Sequence, residues 1–187
     1  KKEGKIKEFG VSVESMEEAE LCLQQEGLCS LQIIFNLLRQ KPVDTLFDLA
    51  LKKQVALIIR LPLASGLLSG NLDAKTTFSS EDHRNFNRNG EYFNVGETFS
   101  GLPFEKGLKI VKRLETLIPE DLSLSLAALR WILDFAAVSV VIPGSKSPNQ
   151  VQHNCRASNI NPLSKSSHKT LKQFYKQDVA PHIRGKY

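Results

Sequence analysis

Cysteine, tryptophan and methionine are scarce in this chain, which has three, one and one of them among 187 residues. The three cysteines show neither CxxC spacing nor Cys/His ligand spacing, and their odd number argues against a disulfide framework. We therefore expect Cys22, Cys29 and Cys155 to be reduced thiols, and we expect no metal site.

Long apolar runs are also missing. No run reaches the roughly 18 residues that a membrane-spanning helix needs, and no charged-then-apolar leader precedes a small-residue cleavage site. A cytoplasmic protein without membrane contact is the resulting expectation. The composition, 41% hydrophobic and 24% charged, is typical of a globular domain that can bury a sizeable core.

The chain has no excess of acidic residues, and its formal net charge is +5. Part of this charge comes from basic residues towards the end of the sequence, namely Lys146, Lys165, Lys169, Lys172, Lys176, Arg184 and Lys186. Such a distribution suits an anionic ligand or a solvated terminal helix. No aromatic residues are interleaved with these charges as in nucleic-acid-binding motifs, so we expect no nucleic-acid partner.

Apolar segments with strand character alternate with segments of helical periodicity. Strands are predicted over residues 6–13, 31–37, 55–61 and 138–142, and the third is apolar on both faces, as in a strand covered by helices. Helices are predicted after Ser15, over 43–51, 103–118 and 124–135, and after Ser147. Residues 71–103 break the pattern and predict a long functional or mobile loop, and residues 163–187 predict a C-terminal helix and tail.

This alternation predicts an α/β fold with a parallel sheet and right-handed crossovers. A closed (β/α)8 barrel needs about 250 residues, so four strand–helix units make half a TIM barrel. We therefore interpret residues 1–187 as a single partial domain. Its two unpaired edge strands invite pairing with a missing half or with a second copy.

The most informative segment is VSVVIPGSKSPNQVQHN, residues 138–154, in which a strand runs through a Pro-Gly turn into a helix start. Ser147, Pro148 and Gln150 fit a capping box with proline at the first helical position. Capping does not account for Gly144, Ser145 and Lys146, where a hydroxyl and a cation precede a helix N-terminus and suit an anion. Spacing alone leaves capping and phosphate binding equally open.

Longer segments of the chain resemble the aldo-keto reductase family. The run AALRWILDFAAVSVVIPGSKSPNQVQHN is similar to the signature near the C-terminus of that family, and KIKEFGVS, LQIIFNLLRQ and IIRLPLASGLLSG match three earlier blocks in order. The resemblance implies the C-terminal half of the family's barrel. It also implies an NADP(H)-dependent carbonyl reductase or alcohol oxidoreductase acting on a small carbonyl substrate.

The resemblance implies roles for several side chains and loops. The 2′-phosphate would lie against Ser145 and Lys146 beside Gly144, and the adenine end against Gln150 and Asn154. The nicotinamide carboxamide would be bound by Ser12 and Gln32. The pyrophosphate would be wrapped by the loop that contains Pro62, Leu63, Ser65, Gly66 and Leu67, and Arg60 would occupy a position where many members place an aromatic residue against the nicotinamide.

The chain also departs from the family pattern. Val13 stands where the family commonly has Asn, which puts the orientation of the nicotinamide in doubt. The catalytic Tyr, Lys, Asp and His of the family belong to its N-terminal half, and nothing in this chain matches them. We therefore expect no catalytic residue in these 187 residues and no activity of the isolated chain.

Two other interpretations stay open at this stage. One is a non-catalytic NADP(H)-binding or sensor subunit related to the channel-associated aldo-keto reductase-like proteins. The other is a folding or degradation product whose exposed sheet edges drive self-association.

Overall fold

The computed structural model describes residues 1–187, in which strands and helices alternate as predicted. The strands are β1 (Phe9–Ser12), β2 (Leu28–Ile34), β3 (Ala56–Arg60) and β4 (Val138–Val141). The helices are α1 (Met16–Cys22), α2 (Leu46–Lys53), α3 (His83–Phe86), α4 (Phe104–Leu114), α5 (Leu124–Leu133), α6 (Pro148–Cys155) and α7 (Lys165–Phe174). None of the helices combines the length and the hydropathy that crossing a membrane requires.

The four strands form one sheet in the order β1-β2-β3-β4, and every pair is parallel, which confirms the predicted sheet. The register places Ser12 beside Gln32, Gln32 beside Ile58, and Ile58 beside Val140. Because all strands run in one direction, their carboxyl ends share one edge of the sheet. β1 and β4 are the two edge strands.

The helices pack on one face of the sheet, where the side chains of Leu31, Leu57 and Ile59 are completely buried. The other face is only partly covered, since Ile58 is half-buried and Val140 is 43% exposed. Helices therefore cover β3 on one face only, although the strand is apolar on both. This second face corresponds to the inside of a barrel, which one four-stranded sheet cannot fill by itself.

Short polar side chains start the helices, as the sequence indicated. The Ser15 hydroxyl accepts a hydrogen bond from the Glu18 backbone N–H at 3.2 Å, and the Glu18 carboxylate accepts one from the Ser15 N–H, also at 3.2 Å. This reciprocal capping box confirms the predicted start of α1. The Ser123 and Ser164 hydroxyls cap α5 and α7 by accepting from the N–H groups of Leu126 and Ser167, without the reciprocal bond.

The bounds of the strands differ from the prediction, most of all for β1 and β2. β1 is limited to four residues, and β2 ends at Ile34 instead of Leu37. The earlier end of β2 is explained by Asn36. Its side-chain oxygen accepts a hydrogen bond from the Leu38 N–H at 2.9 Å, and this turn directs the chain away from the sheet. The apolar residues after Ile34 are buried in this turn, so burial and not strand pairing explains their composition.

The connection over residues 71–103 contains α3 and two short 3-10 helices, Val95–Glu97 and Phe99–Gly101. Its second half is packed tightly, since Thr98, Phe99 and Ser100 are completely buried. After α7 the chain continues through a π-helical turn and a 3-10 helix to a tail, which we define as residues 183–187.

Candidate functional site

The residues that the sequence singled out lie at or just beyond the carboxyl ends of the four strands. Ser12 and Arg60 are the last residues of β1 and β3, and Gln32 lies in β2 two residues before its end. The loops that follow β3 and β4 carry the other candidates. In parallel α/β sheets this edge is where ligands bind.

The loop between β4 and α6 is organised by three side-chain hydrogen bonds. The Ser147 hydroxyl accepts from the Gln150 N–H at 3.3 Å and caps α6, as predicted. The Gln150 amide oxygen accepts from the Lys146 N–H at 2.6 Å. A capping box requires the Ser147 N–H as the donor, so this half of the predicted capping box is wrong. The Asn154 amide donates to the Ser145 hydroxyl at 3.0 Å.

The same loop is open to solvent and positively charged. Gly144, Ser145 and Lys146 are exposed, and Gly144 has open space around it. Lys146 takes part in none of the ion pairs of the chain. A free ammonium group beside a hydroxyl at the start of a helix is chemically suited to a phosphate monoester.

On the adjacent edge of the sheet, Ser12 and Gln32 lie side by side, and the Gln32 amide is 3.4 Å from the Ser12 hydroxyl. Both groups retain further hydrogen-bonding capacity, because the contact uses one amide N–H and one lone pair. Val13 follows directly and is 4% exposed, with its side chain in the hydrophobic core. Packing therefore explains an apolar residue at this position.

Arg60 has its side chain committed within the chain. It forms an ion pair with Glu97 and donates from Nη2 to the Val13 carbonyl at 3.4 Å. The guanidinium therefore lies between the ends of β1 and β3, and its side chain is only 13% exposed. Its Nε is buried without a hydrogen-bond partner.

The loop after β3 has an unusual backbone. Leu61, Ala64, Ser65 and Gly66 all have positive φ angles, between 50° and 97°. Three of these residues carry side chains, so the conformation is strained and must be held by its surroundings. The side chains of Pro62 and Leu67 are buried, whereas Leu63, Ser65 and Gly66 are partly exposed.

A segment of the long connection covers this loop, and we call residues 94–101 the cover segment. The Ser65 hydroxyl donates to the Glu97 carbonyl at 3.0 Å and accepts from the Phe99 N–H at 3.1 Å. The Asn36 amide donates to the Ser100 hydroxyl and to the Leu61 carbonyl, each at 2.9 Å. The Ser65 hydroxyl therefore already uses its donor and one of its two acceptor lone pairs within the protein.

Arg84 is a cation near this loop that the sequence did not single out. Its Nη1 donates to the Ser65 carbonyl at 3.4 Å, while Nε and Nη2 bind the Asp82 carboxylate at 3.0 and 2.6 Å. The hydrogen bonds from Arg84 lower the pKa of Asp82 to about 2. Arg84 lies in a segment without hydrophobic periodicity. The one sequence signal for its position is Asp82, a typical N-cap residue two positions earlier.

The two loops meet through the sheet. The Ile142 N–H donates to the Ile59 carbonyl at 3.0 Å and extends the β3–β4 pairing up to the start of the loop between β4 and α6. Leu63 and Val141 pack against the same small apolar cluster below the loops. The structure therefore brings the predicted residues after β3 and β4 to one edge of two neighbouring strands.

The three tyrosines of the chain differ in exposure and in partners. Tyr92 is 76% exposed on the long connection. Tyr175 and Tyr187 are hydrogen-bonded to each other through their hydroxyls, and burial raises the pKa of both phenols.

Comparison with known proteins gives the family. The family described as "Aldo/keto reductase family" matches residues 1–176. An uncharacterised oxidoreductase of Bacillus subtilis, YqkF, is 27% identical over 179 residues, which are 96% of this chain and 53% of that protein. The aldo-keto reductase YhdN of the same organism is 26% identical and aligns with 80% of this chain and 43% of its own length. The chain thus spans about half the length of the curated relatives it matches.

Solved structures show the fold. A glycerol dehydrogenase from Gluconobacter oxydans superposes with a TM-score of 0.72 at 24% identity, over 100% of this chain and 54% of that one. The holo form of an aldo-keto reductase from Bacillus halodurans gives 0.65 at 22% identity, over 92% of this chain and 51% of that one. These neighbours are TIM barrels, so the predicted half-barrel is confirmed. Because the family match extends over nearly the whole sequence, the chain belongs to the aldo/keto reductase family.

Proposed function

We propose that this chain is the cofactor-binding half of an NADP(H)-dependent carbonyl reductase or alcohol oxidoreductase. Members of its family generally use NAD(P)H. The observation that carries the choice of NADP(H) is Lys146, an exposed cation without an ion-pair partner at the start of α6. A 2′-phosphate is the group that distinguishes NADP from NAD, and a fixed cation beside a hydroxyl favours it.

The proposed roles follow the geometry of the loops. Ser145 and Lys146 bind the 2′-phosphate beside Gly144, and Asn154 holds the Ser145 hydroxyl in place. Gln150 fixes the backbone of Lys146 and, with Asn154, lies next to the adenine. The exposed, polar surface of this loop supports these assignments.

On the other side of the site, Ser12 and Gln32 supply the hydroxyl and amide that orient a carboxamide. The loop containing Pro62, Leu63, Ser65, Gly66 and Leu67 wraps the pyrophosphate, and Arg84, whose Nη1 reaches the Ser65 carbonyl, brings a positive charge to it. Arg60 and its partner Glu97 border the place where the ring would lie. When bound, NADPH supplies the hydride that reduces a carbonyl carbon.

The proton donor is proposed to lie outside this chain, in the remaining part of the barrel. The tyrosines of the chain are exposed or paired with each other, which supports this assignment. We accordingly propose that the isolated 187 residues bind the cofactor and do not turn over a carbonyl substrate. NADPH oxidation dependent on a carbonyl compound, with contaminating enzyme excluded, would contradict that proposal.

Proposed partners follow from the sheet. The open edges β1 and β4 and the half-covered inner face require four further parallel strands, which come either from the remainder of a longer protein or from a second copy. Light scattering coupled to size exclusion, on the 187-residue chain alone and with the other half of a related barrel, tells the two apart. The proposed cytoplasmic location is tested by cell fractionation.

The phosphate assignment is tested by titrating the chain with NADPH and with NADH while cofactor fluorescence is followed. We expect Lys146→Glu to weaken NADPH binding by about 10- to 100-fold and to leave NADH binding nearly unchanged, because a charge-assisted contact to the phosphate is lost. The matched control is Lys165→Glu, the same charge change at an exposed position of α7.

Equal NADPH affinity of the Lys146→Glu variant and the unmodified chain would contradict the proposal. Because a half-barrel can lose affinity through loss of shape, the same pair of variants is also made in the longest available chain. If neither cofactor binds there, the function as a whole is wrong.

A further inference from the structure

The tail, residues 183–187, lies across the long connection and holds it at two points. The Arg184 guanidinium donates to the Gly101 carbonyl at 3.0 Å, to the Asn89 side chain at 3.0 Å and to the Arg88 carbonyl at 3.1 Å. It also reaches the Leu102 carbonyl at 3.3 Å, and the Arg184 N–H donates to Gly101 at 3.1 Å. One side chain thus ties both flanks of the cover segment to the tail.

A second contact reaches the cover segment through Arg39. The Tyr187 ring lies 4.4 Å from the Arg39 guanidinium carbon, and the Tyr187 hydroxyl is hydrogen-bonded to Tyr175. On its other side the Arg39 guanidinium touches Gly96 so closely that an added Cβ would lie 2.9 Å from Nη2. Arg39 is 1% exposed, and it is therefore pressed between the tail and the cover segment.

The cover segment itself is strained. Phe99 and Ser100 have φ angles of 53° and 57°, which non-glycine residues rarely adopt. Its hydrogen bonds to Ser65 and Asn36 keep it over the loop that follows β3. A strained segment persists only while its surroundings hold it, so loss of the contacts from the tail should let the cover segment relax.

We propose that the tail is a latch for the cover segment. While Arg184 and Tyr187 are docked, the cover segment stays closed on the loop after β3, and release of the tail lets it open. If the proposed function is right, opening gives a dinucleotide access to that loop, and this second clause alone rests on the proposed function. The contacts that define the latch are present in the chain by itself.

The mechanical part is tested by hydrogen–deuterium exchange on the 187-residue chain. In Arg184→Ala we expect the amides of residues 95–102 to exchange about 10- to 100-fold faster, while those of β2 and β3 keep their protection, because only local opening is promoted. The control is Arg156→Ala, an exposed arginine outside the tail, which should leave both regions unchanged.

Tyr187→Ala is the second variant, since it removes the other contact without touching Arg184. Faster exchange in residues 183–187 with unchanged exchange in the cover segment would overturn the proposal. Equal acceleration in β2 and β3 would also overturn it, because the tail would then stabilise the whole fold and not a local latch. If Arg184→Ala fails to fold, the same criteria apply to Arg184→Lys and Tyr187→Ala.

The access part is tested by stopped-flow fluorescence with NADPH. We expect Arg184→Ala to raise both the association and the dissociation rate several-fold, with a smaller change in their ratio. Faster exchange of the cover segment with unchanged NADPH rates would overturn the access part. Absence of NADPH binding in the unmodified chain would count against the proposed function, while the exchange experiment would still decide on the latch.

Discussion

Two loops at the same edge of the sheet differ in how they are held. The loop between β4 and α6 is exposed, its side-chain hydrogen bonds stay within residues 145–154, and its cation is free. The loop after β3 is strained and buried, and its contacts come from residues 36, 84 and 97–100. The first is built locally, whereas the second depends on distant parts of the chain.

Because of this difference, we expect substitutions in the first loop to act mainly on ligand affinity and substitutions in the second to act mainly on stability. Residues in the loop between β4 and α6, which we call the local loop, can change without disturbing the core, so their substitution should affect affinity and cost at most about 1 kcal/mol of stability. Residues in the loop after β3, which we call the interlocked loop, contact distant parts of the chain. Their substitution should lower the free energy of unfolding more than it changes ligand affinity.

Asn36→Ala should destabilise the protein by about 2–4 kcal/mol, because it removes three hydrogen bonds and leaves the buried Leu38 N–H and Ser100 hydroxyl without a partner. Urea unfolding followed by circular dichroism measures the change. Asn154→Ala in α6, which removes the hydrogen bond to Ser145 of the local loop, is the control and should cost less than about 1 kcal/mol. Similar losses in both variants would remove the distinction between the loops.

A pair of glycine substitutions sharpens the comparison. Gly96→Ala should cost about 1–3 kcal/mol, because the new methyl group meets the buried guanidinium of Arg39. Gly144→Ala adds the same methyl group where nothing lies within 4 Å, and it should change the free energy of unfolding by less than about 0.5 kcal/mol. Thermal unfolding of the two variants side by side decides the matter, and equal melting temperatures would contradict it.

Ser147→Ala should cost about 1 kcal/mol, since it removes the N-cap of α6. The loss should be confined to this end of the chain, where amide exchange of α6 would rise while the cover segment stays protected. Ser147→Asp keeps a capping acceptor and should restore stability. If amide exchange of α6 is the same in Ser147→Ala and in the unmodified chain, the cap does not stabilise the helix.

The smallest effect concerns pH and Asp82. Its pKa is lowered to about 2 by Arg84, so its ionised form stabilises the fold above the unfolded value near 4, and that contribution is lost as the pH falls towards 2. The pair is near the surface, and we expect less than about 1 kcal/mol. Stability measured at pH 6 and pH 2.5 should fall less in Asp82→Asn than in the unmodified chain, and equal falls would contradict the assignment.

Local signals in the sequence explain what could be predicted. Apolar alternation gave all four parallel strands, and Ser15 and Ser147 marked helix starts because capping depends on residues three positions apart. The open loop around Lys146 belongs to this class, since everything that organises it lies within ten residues.

The interlocked part could not be predicted for the opposite reason. The ion pair of Arg60 with Glu97 spans 37 residues, and the contact of Arg39 with Tyr187 spans most of the chain. Neither leaves a periodic pattern. Arg39 is charged and nevertheless 1% exposed, and no rule of composition indicates burial of a single arginine.

The order of the strands bears on how the chain folds during synthesis. Each strand pairs with the one before it, so β1, β2 and β3 can assemble as soon as they leave the ribosome. β4 begins 78 residues after the last residue of β3, and closing that distance costs more chain entropy than the earlier pairings. We therefore expect β4, and with it the cation at Lys146, to join the sheet last.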